Sequence, residues 1–308
     1  LLWAMDPGGV INSDKEREVM SFQKRLASGE FVVLAEMDTP KGVDISELIT
    51  NARRIKGRVD AVVIPDMVDG MMRMSALGGG VLMNQQGVEA IIQICCRDRN
   101  RIALQADLLS AHVLGIQNII VVRGEDMSYG DHIDAKTVND IGEQELIAAV
   151  KGLQDGVDMA GLELKGTPSF TVGCTIEPYV DDDALKAQLD AAGKKIEAGA
   201  AFIIAPPVFD MDHFAGFYEK ARTLGVPVIP TVFLLKSVGI ARYMATTLPA
   251  YHISEELISR IRKASNREME CVRIAGETVA ELRKTAQGVH LVTLGWEHEL
   301  PNILDHAG

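Results

Sequence analysis

The chain lacks any surplus of positive charge. It has 31 Lys and Arg against 43 Asp and Glu in 308 residues, a formal net charge of −12. Neutralising nucleic-acid phosphates needs a Lys/Arg excess, global or local, and neither is present. No uninterrupted apolar stretch approaches the roughly twenty residues that cross a bilayer. The opening residues Leu1 to Gly9 are too short for the apolar core of a signal peptide, and they take no further part in the reading. The expectation is a cytoplasmic protein that engages neither nucleic acid nor membrane.

Metal-site spacing is missing as well. The four cysteines, Cys95, Cys96, Cys174 and Cys271, form no CxxC. The histidines, among them His112, His213, His252, His290 and His298, show no HxH or HxxxH, so no metal is assigned. No Pro/Ser-rich linker divides the chain. The first apolar strand is followed by Asp38-Thr-Pro-Lys-Gly42, without the Gly-rich turn of a dinucleotide-binding open sheet.

What the chain does have is eight apolar, β-branched runs: Phe31 to Glu36, Val59 to Ile64, Ala90 to Ile94, Asn118 to Val122, Ser169 to Cys174, Ala201 to Ile204, Val226 to Val232 and His290 to Leu294. Segments with helical spacing separate them, such as Leu104, Leu108, Ala111 and Leu114. Helix is also expected over Met72 to Leu77 and Glu143 to Leu162, with Gly78-Gly79-Gly80 serving as a kink or a close-packing point. Strands alternating with helices pair in parallel through right-handed crossovers. Eight such units predict an α/β fold, a single (β/α)8 TIM barrel over residues 31–308, preceded by an N-terminal helical extension over residues 1–30. A doubly wound open sheet is the alternative.

Two runs end abruptly in charge, Gln93 to Arg101 and Asn118 to Asp126, which is how a barrel presents a site at one rim. The residues expected there are Glu36, Asp66, Gln93 with Arg97 and Asp98, Arg123 with Glu125 and Asp126, Glu177 and Thr231. Glu36 closes an otherwise apolar strand, so partial desolvation would raise its pKa as a general acid requires. Gly124 would let a flat cofactor or phosphate approach the backbone beside Arg123. Tyr129-Gly-Asp-His132 offers ring and phosphate contacts, and Lys194-Lys195 offers anion ligands.

These segments resemble the methylenetetrahydrofolate reductase family. The resemblance rests on Ala35 to Gly42, Arg73-Met-Ser75, Cys96 to Gln105, Leu114 to Asn118, Arg123 to Asp126, Tyr129 to His132, Lys194 to Ala200 and Pro207 to Asp210. It implies a flavin-dependent barrel in which hydride from reduced flavin converts 5,10-methylenetetrahydrofolate to 5-methyltetrahydrofolate. It also implies Glu36 as general acid and Glu125 at the pterin. The flavin, FAD with FMN as the alternative, would contact Asp66, Gln93, Arg123, Gly124, Asp126, Tyr129, His132, Cys174 and Lys195. The Cys-Arg-Asp-Arg-Asn form is most similar to a subgroup from anaerobic and acetogenic bacteria and some archaea, which implies an electron-donating partner subunit. Homo-oligomerisation is a further expectation.

Two positions depart from the family pattern. Glu125 stands where Asp is usual, and Ala205-Pro206-Pro207 stands where Thr-Gln-Pro is common. These departures leave open an alternative, a pterin- or flavin-binding subunit of a C1-transfer assembly that does not itself turn over.

Overall fold

The computed structural model describes residues 20–308. Eight strands close into one parallel barrel in chain order: β1 (Val32–Glu36), β2 (Ala61–Ile64), β3 (Ala90–Cys95), β4 (Asn118–Val122), β5 (Thr171–Thr175), β6 (Phe202–Pro207), β7 (Val228–Phe233) and β8 (Gly288–Val292). The seam is sealed by β1 against β8, with Leu34 opposite His290. The helices are α1 (Phe22–Ser28), α2 (Ser46–Ile55), α3 (Ala76–Gln85), α4 (Arg101–Val113), α5 (Glu143–Gln154), α6 (Asp182–Ala198), α7 (Met211–Ala221), α8 (Val238–Thr247), α9 (Glu255–Lys263), α10 (Arg267–Leu282) and α11 (Leu300–Ala307). The expected fold is the observed one.

Two apolar layers follow from the pleat, which sends alternate side chains to opposite faces of a strand. Outward residues such as Val33, Ala35, Val62, Ile92 and Ile119 pack under the helices. Inward residues Val32, Leu34, Ala61, Val63, Ile91, Ile120, Phe202, Ile204 and Ile229 fill the barrel. Gly173 makes room for Phe202, whose ring a Cβ there would meet at 2.4 Å.

Helix α1 closes the end of the barrel away from the strand C-termini. Its N-cap Ser21 accepts from the Lys24 amide, and Gly29 ends it at φ 75°. Phe22 is fully buried and sits edge-on to Phe202, with ring centroids 5.4 Å apart. The rest of the expected N-terminal extension, residues 1–19, lies outside the described residues.

Some expected boundaries shift. The helix expected over 143–162 stops at Gln154, because Gly156 turns left-handed at φ 88° and Val157 pairs antiparallel with Glu163. The three glycines lie inside α3, which begins at Ala76 after an N-cap at Ser75. They serve close packing: a Cβ on Gly80 would fall 2.5 Å from Ile92.

Candidate active site at the barrel mouth

Continuing the inward alternation to the strand C-termini places Glu36, Gln93, Cys95, Thr231 and His290 at the top of the barrel. Glu36 and His290 come from the two strands of the seam. His290 Nε2 lies 3.5 Å from Glu36 Oε2, with side-chain exposures of 5% and 13%. That spacing is longer than a hydrogen bond, and the buried Nε2 has no other partner. On the other edge of the ring, Nδ1 is 3.4 Å from Thr231 Oγ1, which donates its own proton to Ala205 O at 2.8 Å. Thr231 is therefore an acceptor toward the imidazole, which fixes the proton of a neutral ring on Nδ1 and turns the lone pair of Nε2 toward Glu36. Glu36 and His290 thus face each other across the seam at the barrel mouth.

Beside this pair lies a strongly coupled charged rim. The Asp38 carboxyl is raised to about 6 by burial, against the pull of Arg73, with Glu36, Glu297 and Asp69 adding repulsion. Arg73 is 3.3 Å from Asp38 and donates to Thr39 O at 3.0 Å. Lys236 donates to Leu294 O and lies 5.5 Å above the Trp296 ring. Burial lowers its pKa, opposed by Glu297 and Asp38.

On the opposite side Arg97, 2% exposed, ties three segments together. It donates to Glu125 O at 2.9 Å and Met67 O at 3.1 Å, and grips Asp98 with two nitrogens at 2.7 and 2.9 Å. The Glu125 carboxylate accepts from the Asp69 amide at 3.2 Å and lies 3.6 Å from Arg97. Burial pushes its pKa up, and the Asp69 carboxylate adds to the rise. Here Gly124 corrects the sequence reading. At φ 89°, its bare face is covered by protein, since a Cβ would meet Cys95 Sγ at 2.4 Å and Arg97 Cβ at 2.9 Å. The missing side chain admits Cys95 and Arg97, not an approaching cofactor.

The charged run after β3 is likewise mostly scaffold. Arg99 pairs with Asp66 and, at 2.7 Å, with Asp107. Asn100 caps α4, and Arg101 pairs with Asp140 at 2.9 Å. Asp66 is buried and also accepts from the Cys95 amide at 3.0 Å, so its carboxylate is already engaged within the chain.

The family model for methylenetetrahydrofolate reductase matches residues 21–308. The chain belongs to that family. Methylenetetrahydrofolate reductase 2 of Schizosaccharomyces pombe is 23% identical over 251 residues, covering 74% of this chain and 37% of that protein. The 5,10-methylenetetrahydrofolate reductase of Salmonella typhimurium is 27% identical over 149 residues, covering 48% of this chain and 44% of that one. The chain thus spans well under half the length of these relatives. Among solved structures, an uncharacterised Clostridium thermocellum protein that binds two copies of 5-methyl-5,6,7,8-tetrahydrofolic acid superposes with a TM-score of 0.59 at 16% identity, over 92% of this chain and 96% of its own. An F420-dependent secondary alcohol dehydrogenase superposes at 0.57 and 11% identity, over 91% and 99%. At those identities the likeness is one of fold.

The remaining residues singled out by family resemblance are spread around the mouth. Arg123 is exposed at the end of β4 and makes no ion pair among the described residues. Tyr129 is 77% exposed. His132 Nδ1 lies 2.7 Å from Asp131, which Lys41 also holds. Asp126 caps its own turn through the Ser128 amide at 2.8 Å and does not take the place of Glu125. Lys195 donates to Glu143 at 2.6 Å and to Thr175 O at 3.2 Å, at the C-terminal end of β5. Cys174 is a correction. The pleat turns Thr175 inward and Cys174 outward beneath the helices, where burial pushes its thiol up to about 12. It is not part of the mouth.

Sequence reasoning missed His290 as the neighbour of Glu36, and also Asp38, Lys236 and Glu297. The signal for His290 was present: Gly288 to Val292 alternates in phase with Thr231 on β7. Among the described residues no cluster of three or more His, Cys, Asp or Glu could hold a metal, and no helix is long and apolar enough to cross a membrane.

Proposed function

We propose that the chain carries out flavin-dependent reduction of the methylene group on a tetrahydrofolate-type C1 carrier, with Glu36 as the proton donor. Family membership supports the reaction class, and the Clostridium thermocellum neighbour, which binds 5-methyltetrahydrofolate, supports the ligand class. The observation that carries the reading is the Glu36–His290 pair, an inward carboxyl at 3.5 Å from an otherwise unpartnered buried imidazole nitrogen.

The donor set fits a flavin. Gln93 has its amide oxygen engaged by the Asp66 amide at 3.4 Å, and its amide nitrogen is left to donate. Arg123 and Lys194 make no ion pair among the described residues, and both are exposed. These groups suit the edge of a polar ring and a phosphate, whether the diphosphate of FAD or the monophosphate of FMN. When bound, that cofactor supplies the hydride.

The protein's share is proton placement and orientation. Opening the five-membered ring of the carrier to its iminium requires a proton on the departing nitrogen, and Glu36 is the inward acid at the mouth. His290 stands behind that carboxyl, while Thr231 and Ala205 O keep its ring turned so that Nε2 faces it. The buried setting keeps the pair away from bulk water. Glu125, anchored by the Asp69 amide, is placed to accept from a pterin edge. Pro206 and Glu125 favour a second reading, a carrier-binding subunit without turnover. An electron-donating partner subunit belongs to the first reading.

Glu36→Gln separates the two. The expected result is a fall in turnover of about 10²- to 10⁴-fold with carrier affinity changed only a few-fold. Equal turnover in wild type and variant would remove Glu36 from the chemistry. Tight carrier binding with no turnover in wild type, under any electron donor, would establish the second reading.

A further inference from the structure

Each turnover of the proposed reaction consumes a proton as well as a hydride. The proton passes from Glu36 to the departing nitrogen and leaves a carboxylate that must be reprotonated before the next cycle. With a carrier seated over Glu36, the mouth itself is covered. The structure holds a second way in, a polar cleft of about 690 Å³, open space at its entrance included, between α2 and the loops after β1, β2 and β8.

Asp38 stands where that cleft meets the mouth. The ladder of β1 continues one residue past Glu36, because the Met37 amide donates to Val63 O at 3.0 Å and the Met37 side chain packs outward in the apolar layer under the helices. The alternation therefore brings Asp38 back to the face of Glu36. Residues two apart on one face of a strand are separated by about 7 Å at Cα, a gap that two carboxyl side chains bridge directly or through one water. Exposure rises outward along this line, from 13% for the Glu36 side chain to 21% for Asp38.

The charges around Asp38 suit a group that takes up and gives up a proton. Arg73 holds it at 3.3 Å, and Glu36, Glu297 and Asp69 press on it from its own strand, the loop after β8 and the loop after β2. Lys236, from the loop after β7, faces Asp38 and Glu297 while its ammonium donates to Leu294 O. Burial outweighs the pull of Arg73 and brings the Asp38 carboxyl to about 6, so both of its forms are populated near neutral pH. Arg73 Nε is buried with no partner among the described residues, a donor that a water in the cleft would satisfy. Farther out, the exposed carboxylates of Asp44 and Glu47 line the entrance, where negative charge raises the local concentration of protons.

We propose that this cleft is the proton entrance of the site and that Asp38 is the relay that returns a proton from solvent to Glu36 after each turnover. The inference rests on the function proposed above. A solvent acid protonates the Asp38 carboxylate, and Asp38 passes that proton to the Glu36 carboxylate and is left ionised for the next cycle. No electron moves in these two steps, and one proton is drawn from solvent for each hydride delivered. His290, the other titratable neighbour of Glu36, is buried and does not line the cleft, so it opens no route to solvent.

The test separates flavin oxidation from proton uptake. Full chain carrying photoreduced flavin is mixed without oxygen with 5,10-methylenetetrahydrofolate in unbuffered solution at pH 7, while the flavin band and a pH-indicator dye are followed together. Wild type is expected to take up one proton per flavin in step with the return of the band. Because burial already disfavours the charge, Asp38→Asn retains the fold. It should leave the flavin trace within about two-fold, since Glu36 starts with its proton, and delay uptake by about ten-fold or more. Asp38→Glu, which keeps the carboxyl, should restore the uptake. If uptake in Asp38→Asn keeps pace with the flavin, or if both slow together, the relay is refuted and the proposed function stands. If the carrier does not reoxidise the flavin in wild type, the function fails and the relay with it.

Discussion

Asp38 has the clearest pH signature in the molecule. Its carboxyl is raised to about 6 from an ordinary value of 3.8, chiefly by burial. A raised acid is favoured in its protonated form by the folded state, so its contribution is complete below the unfolded value and is lost as pH rises through about 6. Asp38→Asn should therefore raise the melting temperature by about 2–4 °C at pH 8 and leave it unchanged near pH 4, as scanning calorimetry at the two pH values would show. An equal shift at both would refute the burial account. At this scale legibility depended on where a strand ends. Glu36 was readable because it closes an apolar run. His290 was not, because the apolar run from His290 to Leu294 puts it at a strand's start, whereas β8 runs from Gly288 to Val292 with His290 at its inward centre.

Among the elements, the connection after β4 is held by contact with β3, not by its own turn. Gly124 at φ 89° lets Cys95 and Arg97 close on it, and Arg97 then reaches the loops after β2 and β4 together. The same two loops cross at a glycine pair, where a Cβ on Gly130 would lie 2.2 Å from Gly70 O. Gly124→Ala combines backbone strain with a clash and should cost about 2–4 kcal/mol, lowering the urea midpoint with an unchanged slope. A midpoint equal to wild type would mean the contact can relax. All eight strands were legible as apolar runs, because in a parallel barrel both strand faces are buried. The meaning of the charge after β3 was not. A sequence shows that Arg97, Arg99 and Arg101 cluster, but their partners Met67, Asp66 and Asp140 come from distant segments.

For the whole molecule, one end of the barrel is a plug and the other a site. Phe22 of α1 is fully buried against Phe202, and its amide donates to Glu89 at 2.7 Å, so the helix before β1 belongs to the barrel core. We therefore propose that helix α1 is an integral seal, not an appendage. Phe22→Ala should destabilise the fold by about 3–5 kcal/mol in chemical denaturation while leaving the Glu36–His290 geometry, and hence turnover per folded molecule, unchanged. Loss below about 1 kcal/mol would show that the barrel end closes without it. Barrel architecture was legible from the alternation of strands and helices alone. The plug was not: a helical extension was expected before the first strand, but two core side chains in a seven-residue helix do not say which end of the barrel they close.

The central claim is tested most directly by loading the chain with flavin, removing oxygen, adding 5-methyltetrahydrofolate and following the visible flavin absorbance. Transfer of hydride from the methyl carrier to the flavin would bleach that band, and Glu36→Gln would bleach it far more slowly. A fully loaded protein whose absorbance is untouched by saturating carrier would contradict the account.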